Sequence, residues 1–160
     1  MPGLTDITPA LESFQAALMA GEIEVLPGQM DPSLGFYTDT MVGNRRFVFV
    51  RLDGQTVKAY ACLVPYERQE GLPVFAVGYA VPGAYRGQGL AKDVFARGII
   101  ELQSILAGNP PFFVEAIIDP ANTVSLYVAA AVLGGEPRLI TDQVSGQPAL
   151  QYIRKFETRP

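Results

Sequence analysis

The clearest pattern of apolar and polar positions runs from residue 91 to residue 106. Ala91, Val94, Phe95, Gly98, Ile99, Leu102, Ile105 and Leu106 recur at i, i+3, i+4, i+7, i+8, i+11, i+14 and i+15. That is the spacing of one face of an α-helix. Lys92, Asp93, Ala96, Arg97, Glu101, Gln103 and Ser104 fall on the other face, and only Ile100 breaks the pattern. Before this helix, "VFAVGYAV" (74–81) is an unbroken apolar run, as expected of a strand covered on both faces. After it, "GNPP" stops the helix and "FFVEAII" (112–118) reads as the next strand. A strand, a helix of about four turns and a second strand make a βαβ unit with parallel strands.

Elsewhere the pattern is shorter in range. A first helix is expected from about Pro9 to Ala20, with Asp6 or Thr8 as its cap and Gly21 as its stop. The stretch 21–44, broken by Pro27, Pro32 and several glycines, reads as a short strand and a long connection, which either borders a substrate site or is merely irregular. "RRFVFVRL" and "TVKAYACLV" flank Asp53-Gly54, a hairpin signal for a turn with positive φ at both central residues. The second of these strands is expected to end at Pro65, with "PYERQEGLP" as a polar connection. "DPANTVSLYVAAAVLGG" (119–135) predicts a helix capped by Asp119 or Asn122 and, being apolar nearly all round, buried. "EPRLIT" and "ALQYIRKF" are the last strands, joined around Ser145-Gly146. The expectation is an α/β fold with a mixed, mostly antiparallel central sheet, in one domain spanning 1–160.

Composition narrows the chemistry. With 160 residues and 49% apolar content the chain can bury a sizeable core. A formal charge of −4 argues against a nucleic-acid partner, whose footprint would be basic. No apolar run reaches the roughly 18 residues of a membrane span, and the amino terminus lacks the regions of a signal peptide. Cys62 is the only cysteine, so no internal disulfide is possible, and a cytoplasmic location is expected. There is no histidine. Histidine-based nucleophilic catalysis and a His/Cys zinc site are therefore excluded, and no metal is expected. Chemistry must come from carboxylates, tyrosines, backbone amides or a bound cofactor.

The turn inside the βαβ unit, "VPGAYRGQGLA" (81–91), is the strongest chemical signal. A helix N-terminus presents unpaired N–H groups and partial positive charge, and a turn without bulk lets an anion reach them. Gly87 and Gly89 clear that approach, and Arg86 adds a cationic fork. The alternative is an ordinary tight βα connection with Arg86 solvated. A Walker A loop does not fit, since Gln88 stands at the sixth position from Gly83. A dinucleotide fingerprint fails too, since Lys92 stands at the sixth position from Gly87.

What fits is [Q/R]-x-x-G-x-[G/A], here Arg86, Gly87, Gln88, Gly89, Leu90 and Ala91, following "YAVPGAY". After the next strand, Asn122 and Ser125 stand in an "N-x-x-S" helix that ends at a Leu-Gly. Together these landmarks resemble the GNAT acetyltransferase superfamily over Val74–Gly135; before Arg45 the resemblance is thin. It implies acetyl-CoA as cosubstrate, with the pyrophosphate on the amides of Arg86–Ala91. The pantetheine arm would run between two splayed parallel strands against backbone near Tyr79, Ala80 and Val81. Gly78 would mark a bulge or close approach there, or else a packing vacancy. Asn122 would contact the cofactor or simply cap its helix.

The implied activity is direct acetyl transfer to an amine, borne by a small molecule or a protein, with a homodimer as a possible assembly. Two departures stand out. Where many family members carry a strand glutamate this chain has Phe75, and where they carry a helix tyrosine it has Ala129. Tyr127, two residues earlier, is the candidate general acid, offset by about 200° of helix rotation. Glu115 is the first candidate base, a lone acid in an apolar strand, and Glu67 and Glu70 are others. The alternative for Glu115 is a strand-end acid facing solvent or pairing with a base. At the level of the protein, the alternatives are a non-catalytic acyl-CoA-binding or regulatory module, or a plain nucleotide binder sharing only the turn.

Overall fold

A computed structural model describes residues 7–41 and 43–160. Among them, the chain order is α1 (Thr8–Met19), β1 (Leu26–Pro27), β2 (Gly35–Met41), β3 (Asn44–Asp53), β4 (Thr56–Gln69), β5 (Leu72–Ala80), α2 (Leu90–Ile105), β6 (Phe112–Ile118), α3 (Thr123–Leu133), β7 (Arg138–Thr141) and β8 (Pro148–Phe156). The strands form one eight-stranded sheet in the order β1-β2-β3-β4-β5-β6-β8-β7. Every neighbouring pair is antiparallel except β5 and β6, the parallel pair that the βαβ unit requires.

Both faces of the sheet are covered at β3, which explains its unbroken apolar run. Phe47 and Phe49 point into a core shared with Val94, Phe95, Ile99 and Leu102 of α2 and Val128, Ala129 and Leu133 of α3. Val48 and Val50 point the other way, against Leu11, Phe14 and Leu18 of α1. Each such side chain removed from water contributes about 1.5–3 kcal/mol. Gly98 lets α2 approach closely: a Cβ there would stand 2.8 Å from Cδ2 of Phe49.

Several expectations change. The first helix is capped at Ile7 without a side-chain bond; Thr8 lies within it, and Asp6 lies outside the described residues. The stretch 21–44 contains two strands, and β2 pairs with β3 along its length. In the β3–β4 hairpin Asp53 pairs with Thr56, so the turn is Gly54-Gln55, and Gly54 supplies the positive φ of 60°. A turn with glycine at its first central position is the other favoured hairpin connection. β4 does not stop at Pro65. It continues through a bulge between Pro65 and Glu67, and turns into β5 at Glu70-Gly71, with φ of 54° and 77°. Proline, with no N–H to offer the ladder, is at home at a bulge. Finally, α3 is only half buried: Val124 and Tyr127 are exposed.

Candidate active site

β5 and β6 pair at Val74–Phe113, Phe75–Val114 and Ala76–Glu115, and there the ladder ends. β5 runs on to Ala80 beside β4, and β6 runs on to Ile118 beside β8. Each strand keeps its outer neighbour, so a cleft opens between them. It is lined by Val77, Gly78 and Tyr79 on one side, by Ala116–Asp119 on the other, and by Asn122 and Ser125 at the start of α3. There is no bulge at Gly78, which pairs with Cys62 in register. Its lack of a side chain makes room for Ile7, whose Cγ2 would stand 2.8 Å from a Cβ. Gly78 is thus the packing vacancy of the two alternatives.

At the end of β5 the chain makes a short 3-10 turn at Gly83–Tyr85 and enters α2 through Gly87 and Gly89, whose φ values are 77° and 73°. Both glycines are required by backbone conformation, and a Cβ on either would meet no atom within 4 Å. No side chain caps α2. No side-chain cap thus competes for its first-turn amides, which carry the partial positive charge of the helix end. The acidic residue of that turn, Asp93, is engaged by Arg51 at 2.7 Å, which offsets its repulsion of an anion. Arg86 turns inward: its Nε donates to the Val81 carbonyl at 3.0 Å, bracing the turn against the strand end. The turn has the form of an anion cradle made of backbone.

On the far side of the cleft Asn122 is the cap of α3, its Oδ1 accepting the Ser125 amide at 3.1 Å. Asp119 instead accepts the Ala121 amide just before the helix. Tyr79, stacked on Phe95, donates its hydroxyl to the Ser125 carbonyl at 2.7 Å and so ties β5 to α3 across the cleft. Burial pushes its phenol well above the usual range, so it keeps its proton.

Glu115 belongs to the last parallel pair, at the root of the cleft. It is 2% exposed. Its carboxylate accepts the Tyr66 hydroxyl on Oε1 and the Gln151 amide on Oε2. Neither alternative expected for it, a solvent-facing strand end or a basic partner, is found: among the described residues no ion pair reaches it. Glu70 lies at the β4–β5 turn, 4.0 Å from Lys155. The Cys62 thiol is pushed up to about 11 by burial, the state of a packed thiol and not of a nucleophile. No group of three or more acids or cysteines suited to a metal occurs among the described residues.

No family model matches the chain, and no curated protein does. Solved structures do. A GNAT-family acetyltransferase from Streptococcus pneumoniae superposes with a TM-score of 0.52 at 8% identity, over 69% of this chain and 66% of that one. A GNAT-superfamily phosphinothricin acetyltransferase from Sinorhizobium meliloti, in complex with AcCoA, gives 0.53 at 18% identity, over 70% and 62%. RimJ from Mycobacterium smegmatis, in complex with CoA-disulfide, gives 0.56 at 16%, over 95% and 79%. The chain has the GNAT fold. It spans less than two thirds of the length of the first two structures, at 66% and 62%.

Within the GNAT fold the two departures noted in the sequence have a physical form. Phe75 is a core residue, packed edge-on between Phe47 and Phe112, and leaves no place for an acid. Tyr127 is 68% exposed on α3 and is not among the cleft-lining residues. Ala129, at the spacing where the family tyrosine is common, is buried. The structure brings Tyr79 and Asn122 to one cleft, places Glu115 in the last strand pair before the cleft opens but not among its lining residues, and leaves Tyr127 outside it.

Two residues escaped the sequence reading. Tyr66 was hidden by Pro65, which reads as a strand end; only a proline tolerated at a bulge would have revealed it. Glu101 lies on the polar side of the α2 pattern yet is 2% exposed, because the 28–31 loop folds over it. Its carboxylate accepts the amides of Gln29, Met30 and Asp31 at 2.7–2.9 Å. This part of 21–44 is thus pinned to α2.

Proposed function

We propose that the protein is an acyl-CoA-dependent N-acetyltransferase that moves an acetyl group from acetyl-CoA directly to an amine of a small molecule or a protein. The observation that carries this reading is the parting of β5 and β6 beyond Ala76–Glu115, next to a glycine turn where a Cβ on Gly87 or Gly89 would meet no atom within 4 Å. The residues present suit the cosubstrate. The amides of Arg86, Gly87, Gln88, Gly89, Leu90 and Ala91 would hold the pyrophosphate, and the backbone of Tyr79 and Ala80 on the β5 edge that β6 leaves, with Val81 just beyond it, would hold the pantetheine arm. Asn122 would border it while capping α3.

Bound acetyl-CoA supplies an activated acetyl carbon, at which the amine forms the C–N bond as the C–S bond breaks and sulfur leaves with the electron pair. Glu115 is the base: its carboxylate takes the proton that the amine loses. The acid first expected at Tyr127 stands outside the cleft, so water returns the proton to sulfur.

Two measurements test the reading. Acetyl-CoA at about 100 times Kd should add roughly 2.7 kcal/mol, a melting shift of about 5–10 °C for a chain of this size. Free thiol should then appear when a panel of amines is added. The absence of any shift with acetyl-CoA, CoA or longer acyl-CoA would remove the reading altogether. A second reading, a non-catalytic acyl-CoA-binding module, is favoured by the core role of Phe75 and the outward position of Tyr127. It requires the melting shift without thiol release for any amine.

A further inference from the structure

We propose that Tyr66, delivered by the bulge in β4, holds the Glu115 side chain aimed for acceptor deprotonation, a positioning role that rests on the acetyltransferase reading. The bulge supplies the geometry. Pro65 pairs with Phe75 and Glu67 with Val74, so Tyr66 is the extra residue, and its hydroxyl reaches Glu115. Bulges re-aim side chains in this way beside working sites. The carboxylate is buried with neutral donors on both oxygens, Tyr66 and Gln151. Donors to the charged form favour that form, and the missing countercharge is one an ammonium would supply. Gln151 is fixed within β8, opposite Ile117. Tyr66 is half exposed at an irregular point of its strand, so it is the donor able to yield to an arriving amine.

The charged groups nearby come from three strands. Glu67 on β4 lies close to the Tyr66 hydroxyl, which burial and Glu115 both keep protonated. On β8, Lys155 sits over the Phe113 ring and pairs with Glu70. On β7, Arg138 is exposed opposite Gln151. β5 contributes only Ala76 beside Glu115.

The test begins without cosubstrate. The Glu115 carboxyl is titrated by carbon-13 NMR in the apo-protein, its signal assigned by its loss in Glu115→Gln. Tyr66→Phe, which keeps the ring, should raise the titration midpoint by about 1–2 pH units, the worth of one hydrogen bond to a charged group. The acidic limb of kcat/KM should move upward with it, because the base must be ionised to act. An unmoved midpoint, or a midpoint that moves while the limb stays, overturns the proposal. Should the wild-type protein acetylate no amine, the role in deprotonation falls with the acetyltransferase reading, while the titration still shows whether Tyr66 holds the carboxylate.

Discussion

Two carboxylates in this protein are equally buried, each 2% exposed, and their surroundings could hardly differ more. Glu101 is gripped by backbone: the amides of Gln29, Met30 and Asp31 converge on it, and Gly28 passes so close that a Cβ there would stand 3.0 Å from its Cδ. Arg51 bridges the same loop to α2, donating to Asp31, Ser33 and Asp93. Glu115 is held by two side chains, one on a bulge, where two strands begin to part. Burial alone therefore does not mark a working acid. On the proposed reading the donors do: fixed amides make a carboxylate a rivet, whereas side-chain donors beside an opening leave it able to exchange partners.

The sharpest way to break this contrast is at Glu115. Glu115→Gln should lower kcat by roughly 100- to 10,000-fold, the range of a lost general base. Stability should change by less than about 1 kcal/mol, because the lost charge-assisted bonds are offset by the lost cost of burying the charge. Steady-state rates beside denaturant melts of the same samples would decide it. A variant that loses several kcal/mol of stability and keeps its rate would make Glu115 a second rivet.

Glu101→Gln should show the reverse. The amide retains one acceptor but turns an NH2 toward backbone N–H groups, at a cost of about 3 kcal/mol. For a chain this long that is a melting decrease of about 6–12 °C. The affinity for acetyl-CoA should stay where it was, because Glu101 lies away from the cleft-lining residues. A Glu101→Gln protein of unchanged stability would show that the 28–31 loop is held by Arg51 and its own turns instead.

The third test moves to the turn. Gly89→Val places a branched side chain at φ 73°, a strain of about 1–3 kcal/mol, in space where no atom lies within 4 Å. The fold should survive, while the acetyl-CoA-induced gain of roughly 2.7 kcal/mol disappears because the approach to the α2 amides is blocked. Calorimetric titration of the folded variant is the readout. Undiminished affinity would mean that the turn is only a connection.

What was legible in the sequence follows the same division. The βαβ unit was readable because a long helical period and two apolar runs are strong local signals, and β6 has the bounds expected, Phe112–Ile118. The glycine turn was readable because positive φ leaves glycine as its mark. What escaped depended on contacts distant in the chain. Glu101 looks solvated until a loop about 70 residues away supplies amides, a pairing no helical period encodes. Tyr66 sits behind a proline that means a strand end in one context and a bulge in another. β2, with Thr38, Asp39 and Thr40 at its centre, shows little alternation; its place is set by pairing with β3 and by the bidentate Arg46–Asp39 contact. The half-exposed state of α3 was missed because an all-apolar helix reads as buried, whereas Val124 and Tyr127 point outward.

The smallest expected effect belongs to Tyr127. A phenol is chemically suited to return a proton to a departing thiolate, since its usual pKa near 10 lies close to that of the leaving group. Position decides against it. A two-residue offset along α3 turns the side chain by about 200°, and Tyr127 is 68% exposed while Asn122 and Ser125 line the cleft. For its hydroxyl to reach the site α3 would have to roll, dragging Val128, Ala129 and Leu133 out of the core they share with α2. Each of those side chains holds the helix by about 1–3 kcal/mol. Tyr127→Phe should therefore leave kcat within about threefold, less than any general-acid contribution in the usual range. Solvent exchange at the thiolate would account for the intact rate. A fall beyond tenfold with acetyl-CoA affinity preserved would show that α3 takes up a second seating during turnover, and that the acid arrives with it.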